Sequence, residues 1–236
     1  MADTGYLGLP LLTAAQAQKH VTVNEAFLRL DTLTQLTLQS FETVTPPNSP
    51  KEGEAWAVPA GANGSWAANT GDVAMFLNGG WAFLPPQTGW RCFVSDRGVP
   101  AFFDGTDWVE GAGSLTPSGA GFLHRSLEFD HDIAAGATSV VAAALQAQSI
   151  VYGITGRVLN AIGGAASFQI GVAGSANRYG SGFGTGAGSW TRGITGNPLA
   201  YYADTDVVLT ADGGVFDGTG TLRLAIHFAE LSLPSA

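Results

Sequence analysis

The apolar positions change rhythm along the chain. Between residues 13 and 40, Val23, Ala26, Leu30 and Leu33 recur at alternating steps of three and four, which predicts a helix. TAAQ at 13–16 supplies a capping box, with Thr13 as N-cap and Gln16 reaching back. The prolines of TPPNSP (45–50) forbid its continuation. The four apolar residues make a seam suited either to self-association or to packing on the helix's own domain. From residue 51 to 110 the pattern is one of short strands: EAWAV, GSWAA, VAMFL, GWAFL, GWRCFV, PAFFD and DWVEG. Asn63-Gly64, Asn78-Gly79 and Asp104-Gly105 lie between them, and such pairs tolerate the positive φ of tight hairpin turns. The expected element is a small β meander.

Residues 111–121, within EGAGSLTPSGAG, hold one large apolar side chain and predict a linker. Residues 122–236 return to strand patterns: FLHRSLEFD, SIVYGITGRVL, SFQIGVAG, YYADTDVVLTA and TLRLAIHFAEL, separated by Gly-rich turns. In the last, Leu222, Leu224, Ile226 and Phe228 share one face, and Thr221, Arg223, Ala225 and His227 the other. The expected fold class is mainly β. An N-terminal helical attachment or oligomerisation segment (1–50) precedes a Trp-rich meander (51–110). A C-terminal β-sandwich or jelly roll (122–236) follows.

Five of the six tryptophans fall between Trp56 and Trp108, mostly just after turns. Each can cover a sheet too thin for an aliphatic core, or stand out as a platform for a sugar ring. Charge narrows the partners. Charged residues are 12% of the chain and the formal net charge is −9. Ten Lys and Arg spread along the sequence do not supply the basic surface that phosphate contacts need, so no nucleic acid is expected. No apolar stretch is long enough to span a bilayer, so no membrane insertion is expected. The first residues lack a basic run and do not look like a secretion signal. The single Cys92 allows no internal disulfide and fits synthesis in a reducing cytoplasm.

Chemistry-bearing clusters are sparse. Glu128, Asp130, His131 and Asp132 could offer oxygen ligands to Ca²⁺, or could be a solvated strand end. Asp204, Asp206, Asp212 and Asp217 could pair for glycoside hydrolysis, or could bond local backbone in turns. GSGFGT (180–185) lacks the following helix of a phosphate loop, and there is no GxSxG elbow. No cofactor, metal or catalytic residue is expected.

The N-terminal sequence resembles an uncharacterised family carried by alphaproteobacterial prophages and gene transfer agents. The likeness rests on Leu7–Pro10, Gln16, Gln18, Lys19, His20, Asn24–Ala26 and Leu30–Asp31, and continues through PPNSPKEGEAWAVPAGANGSWA to the DG-x-x-W at 104–108. A looser likeness to phage C-terminal β domains runs through RYG, GSW and LRLAI. The family has no assigned catalytic residues to carry over. The resemblance implies a virion appendage, a tail fibre or head spike on the particle surface, made in the bacterial cytoplasm. Its N-terminal part would meet other virion proteins or identical copies in a homotrimer or larger assembly. Its C-terminal part would meet host capsule or lipopolysaccharide.

The glycan-binding candidates are Trp190, Tyr201, Tyr202, Tyr179, Arg178 and Asn177, all in or beside Gly-rich loops. With no basic cluster visible, binding is expected to be insensitive to salt; a steep fall in binding as salt rises would point instead to Arg178 and Arg192 gripping an acidic glycan. A purely architectural spike or fibre base and a polysaccharide-trimming enzyme are the alternatives.

Overall fold

The computed structural model describes residues 3, 4, 7, 9–12 and 19–234. The expected capping box of Thr13 and Gln16 lies outside the described residues. The chain forms two compact units, Met1–Ala112 and Gly113–Ala236. It is mainly β, with a helix followed by several sheets.

In the first unit, α1 runs Lys19–Thr34 among the described residues and ends before the residue 40 expected for it. Near its end the Thr32 and Thr34 hydroxyls donate to the carbonyls of Leu28 and Leu30. The chain then enters the sheet as β1 (Thr37–Leu38). This strand pairs in parallel with β2 (Ala55–Ala57) on one side and β5 (Arg91–Val94) on the other. The antiparallel strands β3 (Val73–Leu77) and β4 (Gly80–Leu84) extend the β2 side, and β6 (Val99–Phe103) and β7 (Trp108–Glu110) extend the β5 side. The expected single meander is thus two antiparallel halves joined through a parallel pair of residues, and Leu38, fully buried, stands at the join.

Both faces of this sheet are covered. Ala55, Val73, Met75 and Val94 point to the side on which Leu28 and Leu33 of α1 pack. Trp56 and Ala74 alternate to the opposite side, where Trp66, Trp81 and Phe83 cover them. The indole of Trp66 has no exposed surface and sits edge-on to Trp81 with ring centroids 5.0 Å apart. GSWAA is therefore a 3-10 turn over Gly64–Trp66, not a strand. Gly64, at φ 57, turns the chain so that Trp66 folds back onto the sheet. Of the predicted turns, Asn78-Gly79 is a two-residue hairpin, with φ 52 and 72 between the paired Leu77 and Gly80. The 104–107 turn is longer, and the Asp104 carboxylate accepts from the N–H groups of Thr106 and Asp107.

Only part of the expected helical seam faces the sheet. Leu33 packs there, while Ala26 and Leu30 are exposed. The buried charged side chain on α1, among its described residues, is Asp31. Its Oδ1 accepts from the Thr4 hydroxyl at 2.7 Å and from the Leu7 N–H at 2.5 Å. Asn24 exchanges two hydrogen bonds with the backbone of Leu12. Asn24 and Asp31, two residues of the N-terminal signature, thereby fasten the leading segment to the helix.

The second unit is a β-sandwich. Its five-stranded sheet runs in the order β14 (Trp190–Tyr201), β11 (Ser149–Asn160), β16 (Thr221–Ser232), β9 (Gly121–Asp132), β8 (Ala112–Leu115). The four-stranded sheet runs β10 (Thr138–Leu145), β15 (Thr205–Asp212), β12 (Ser167–Gly171), β13 (Phe183–Gly184). Ile154, Leu224 and Ile226 of the first meet Phe168, Ile170 and Leu209 of the second in one core. The residues expected as a linker are instead β8, a turn in which Thr116 N–H donates to Ala120 O, and the start of β9. A stretch poor in apolar side chains joins the sheet through its backbone, which composition does not reveal.

Two outcomes follow for the first unit. Asp31→Ala strands the buried Thr4 hydroxyl and the Leu7 N–H, and should lower stability by about 1–3 kcal/mol in a urea titration. An unchanged midpoint would mean that this anchor contributes nothing. Burial pushes the Cys92 thiol from its ordinary 9.0 up to about 12. At about pH 8 a disulfide reagent should leave it unmodified in the native chain and label it on unfolding. Because the folded value is the higher one, the associated stability is present below pH 9.0 and lost as pH rises toward about 12.

Candidate glycan-binding surface

Strand alternation sorts the five-stranded sheet into two faces. On β11, Ile154 and Val158 go to the core while Thr155 and Arg157 face outward. On β16 the outward set is Arg223, Ala225 and His227, as the alternation predicts. On β14, Thr191 and Gly193 are buried while Trp190, Arg192 and Ile194 are exposed. Register then lays these residues in rows. Trp190 lies opposite Arg157, Arg157 opposite Arg223, and Arg223 opposite Asp130. The next row is Arg192, Thr155, Ala225 and Glu128.

These rows, Asp130 aside, line an open groove of about 600 Å³. Trp190 is 62% exposed at its edge, with the Arg192 guanidinium 5.7 Å from its ring centroid. Arg223 is engaged by Asp130 through Nε to Oδ1 at 2.6 Å and Nη2 to Oδ2 at 2.8 Å, and Glu128 lies 3.9 Å away. The Asp130–Arg223 hydrogen bonds hold the Asp130 carboxyl below its ordinary range. Arg157 donates to the Gly188 carbonyl at 3.0 Å. Among the described residues neither Arg157 nor Arg192 is in an ion pair. Strand pairing gathers three arginines that are far apart in sequence, so the premise of the expected salt insensitivity, the lack of a basic cluster, does not hold on this face. Beyond Arg192 and Thr155, a second depression of about 480 Å³ reaches His227, whose ring nitrogens lie 3.0 Å from Ser126 Oγ and 2.9 Å from Thr155 Oγ1.

The six expected site residues separate. Tyr179 is a correction: it is 1% exposed and belongs to the core. Its backbone pairs with Ile170 on β12 and passes directly under β14, where a Cβ on Gly193 would meet Tyr179 O at 1.8 Å. Burial, and then the 2.7 Å hydrogen bond to the Tyr201 hydroxyl, raises the Tyr179 phenol well above its ordinary range. Tyr201 is half-buried in that pair. Tyr202 is 86% exposed, but it follows the far end of β14, on the order of 25–30 Å from Trp190 when counted along the regular partner β11 from Arg157, opposite Trp190, to Ser149, opposite Tyr201. Asn177 is exposed and Arg178 half-buried in the loop leading to Tyr179. Only Trp190 of the six lines the groove.

The aspartate candidates are engaged in structural hydrogen bonds, of which only that of Asp217 is local in sequence. Asp204 and Asp206 accept from the N–H groups of Ala147 and Ala143, and Asp217 accepts from Thr219. Asp132 accepts from the Thr221 hydroxyl, and His131 lies 2.7 Å from Ser139 Oγ. Arg157 and Arg223 were the missed residues. Arg223 was already on the outward face of TLRLAIHFAEL, but WTRG had no recognised strand to place Arg192.

Residues 23–109 match the profile of a family described as "Protein of unknown function (DUF2793)". The match spans most of α1 and nearly all of the seven-stranded sheet, and the groove lies outside it. No curated protein matches the chain. Among solved structures, a chain of the cyanophage Pam1 capsid asymmetric unit is 22% identical with a TM-score of 0.32, over 50% of this chain and 91% of that one. A chain of Bacillus endospore appendages that form disulfide-linked pili is 18% identical with a TM-score of 0.23, over 50% and 96%. Both scores are too low to assign a shared fold. Among the described residues no helix is long and apolar enough to cross a membrane.

The two kinds of tryptophan should separate in thermal melts. Trp190→Ala is expected to change stability by no more than about 0.5 kcal/mol. Trp66→Ala, which empties the centre of an aromatic cluster, should cost about 3–5 kcal/mol. A large loss from Trp190→Ala would return that residue to the core.

Proposed function

We propose that the chain is a virion appendage protein, of tail fibre or head spike type, from a phage or gene transfer agent. It adsorbs to host surface polysaccharide through the outer face of its C-terminal sandwich. The observation that carries the glycan part is Trp190, exposed on an open groove while the other five tryptophans are buried or half-buried in the first unit. A sugar ring stacked on that indole buries apolar C–H surface while hydroxyls reach Thr155 and the arginine N–H groups. The virion part is supported by the N-terminal resemblance, which overlaps the matched residues 23–109. In this reading the first unit attaches to other virion proteins or to identical copies, and the assembly is a homotrimer or larger.

Adsorption to capsulated and capsule-free host cells tests the reading. Wild-type chain should bind capsulated cells, and Trp190→Ala should weaken binding by about 1 kcal/mol or more, roughly fivefold, without loss of folding. Equal binding to both cell types, with no effect of Trp190→Ala, would favour the architectural spike base. Release of reducing sugar would favour the trimming enzyme.

A further inference from the structure

We infer that the groove selects acidic sugars, with Arg192 and Arg157 taking a sugar carboxylate beside the ring stacked on Trp190. The inference rests on the polysaccharide reading above and narrows it to a chemical class.

The three arginines of the groove differ in what they already hold. Arg223 is held by a bidentate Asp130, with Glu128 close by, so its charge is answered within the protein. Arg157 gives one N–H to a neutral carbonyl, and Arg192 lies over an indole. Neither interaction neutralises a cation. The register makes Arg157 and Arg192 diagonal neighbours, because Arg157 faces Trp190 and Arg192 faces Thr155. Diagonal positions put their Cβ atoms about 7–8 Å apart or a little less. Two like charges at that spacing repel, and an anion placed between them removes the repulsion and gains from both.

The geometry also limits the anion. A guanidinium presents a planar fork of N–H donors that matches a planar carboxylate in two parallel hydrogen bonds. The indole beside it favours a flat apolar ring face. A hexuronic or sialic acid carries both features on one ring. A neutral sugar would use Trp190 and leave the two charges unanswered. A bare inorganic anion would use the arginines and leave Trp190 bare. The setting sharpens the contrast: the chain has 19 acidic against 10 basic residues, and it gathers three of those ten here.

The test uses the full chain on immobilised oligosaccharides of glucuronate, galacturonate and sialic acid, each beside its own methyl ester. The free acids should bind about fivefold or more tightly than their esters, and the difference should shrink as salt rises. Arg192→Gln and Arg157→Gln should each reduce the acid to the level of its ester while leaving the melting temperature unchanged. Trp190→Ala should weaken acid and ester alike. Esters bound as tightly as acids, with Trp190 still required, would overturn the acidic preference and leave the polysaccharide reading standing. Sodium sulfate competing as well as a free uronate would overturn it in favour of a simple anion site. Binding of no sugar in either form would overturn both.

Discussion

The pairing of Arg157 with Trp190 on one side and Arg223 on the other sets the outer surface of the sandwich. A strand offers alternate side chains to opposite faces, so a slip of one residue would bury Arg157 and expose Val158. The core forbids that slip. Ile154 and Val158 on β11, and Leu222, Leu224 and Ile226 on β16, are buried against the second sheet. The polar groove is therefore fixed by the apolar layer beneath it. Its arginines need no contacts of their own to be brought together. The same layer explains why Tyr179 is unavailable: it fills the space under Gly193, and its hydroxyl is satisfied by Tyr201.

The first unit solves a different packing problem. Its strands are short, and its sheet is covered on both faces, by α1 on one side and by the Trp66 turn on the other. Aromatic rings give much buried area per residue, which suits a cover made from a few turns of chain. Trp56, Trp66 and Trp81 meet at centroid distances of 5.0–5.9 Å in tilted and edge-on arrangements. Tryptophans that follow turns are in this unit structural, and the one that opens a long strand in the other unit is not covered.

Much of this was legible in the sequence, because alternation and turn chemistry are local. The mainly β class, the hairpin at Asn78-Gly79 and the outward face of TLRLAIHFAEL all follow from neighbouring residues. What was not legible depends on partners far along the chain. Thr37 and Leu38 look like the end of a helix until two distant strands claim their backbone. Residues 112–115 look like a linker because backbone pairing leaves no mark on composition. The arginine groove needs the register of β14, and WTRGITGNPLAY reads poorly as a strand because it holds two glycines, an asparagine and a proline. Trp190 is exposed, and Tyr179 was misplaced because an aromatic in a Gly-rich loop can still be drawn under a strand.

Those same residues give β14 a further property. It is the outer strand of its sheet, and its pairing with β11 jumps from Ile194 opposite Gly153 to Leu199 opposite Val151. The intervening Thr195–Gly196–Asn197–Pro198 stretch is knotted by bonds between Thr195 and Asn197, and Pro198 has no N–H to offer. A free strand edge invites a neighbouring chain to zip onto it, which is how β-rich proteins fibrillise when crowded. This edge is broken near its middle, so it does not offer a second strand one continuous template.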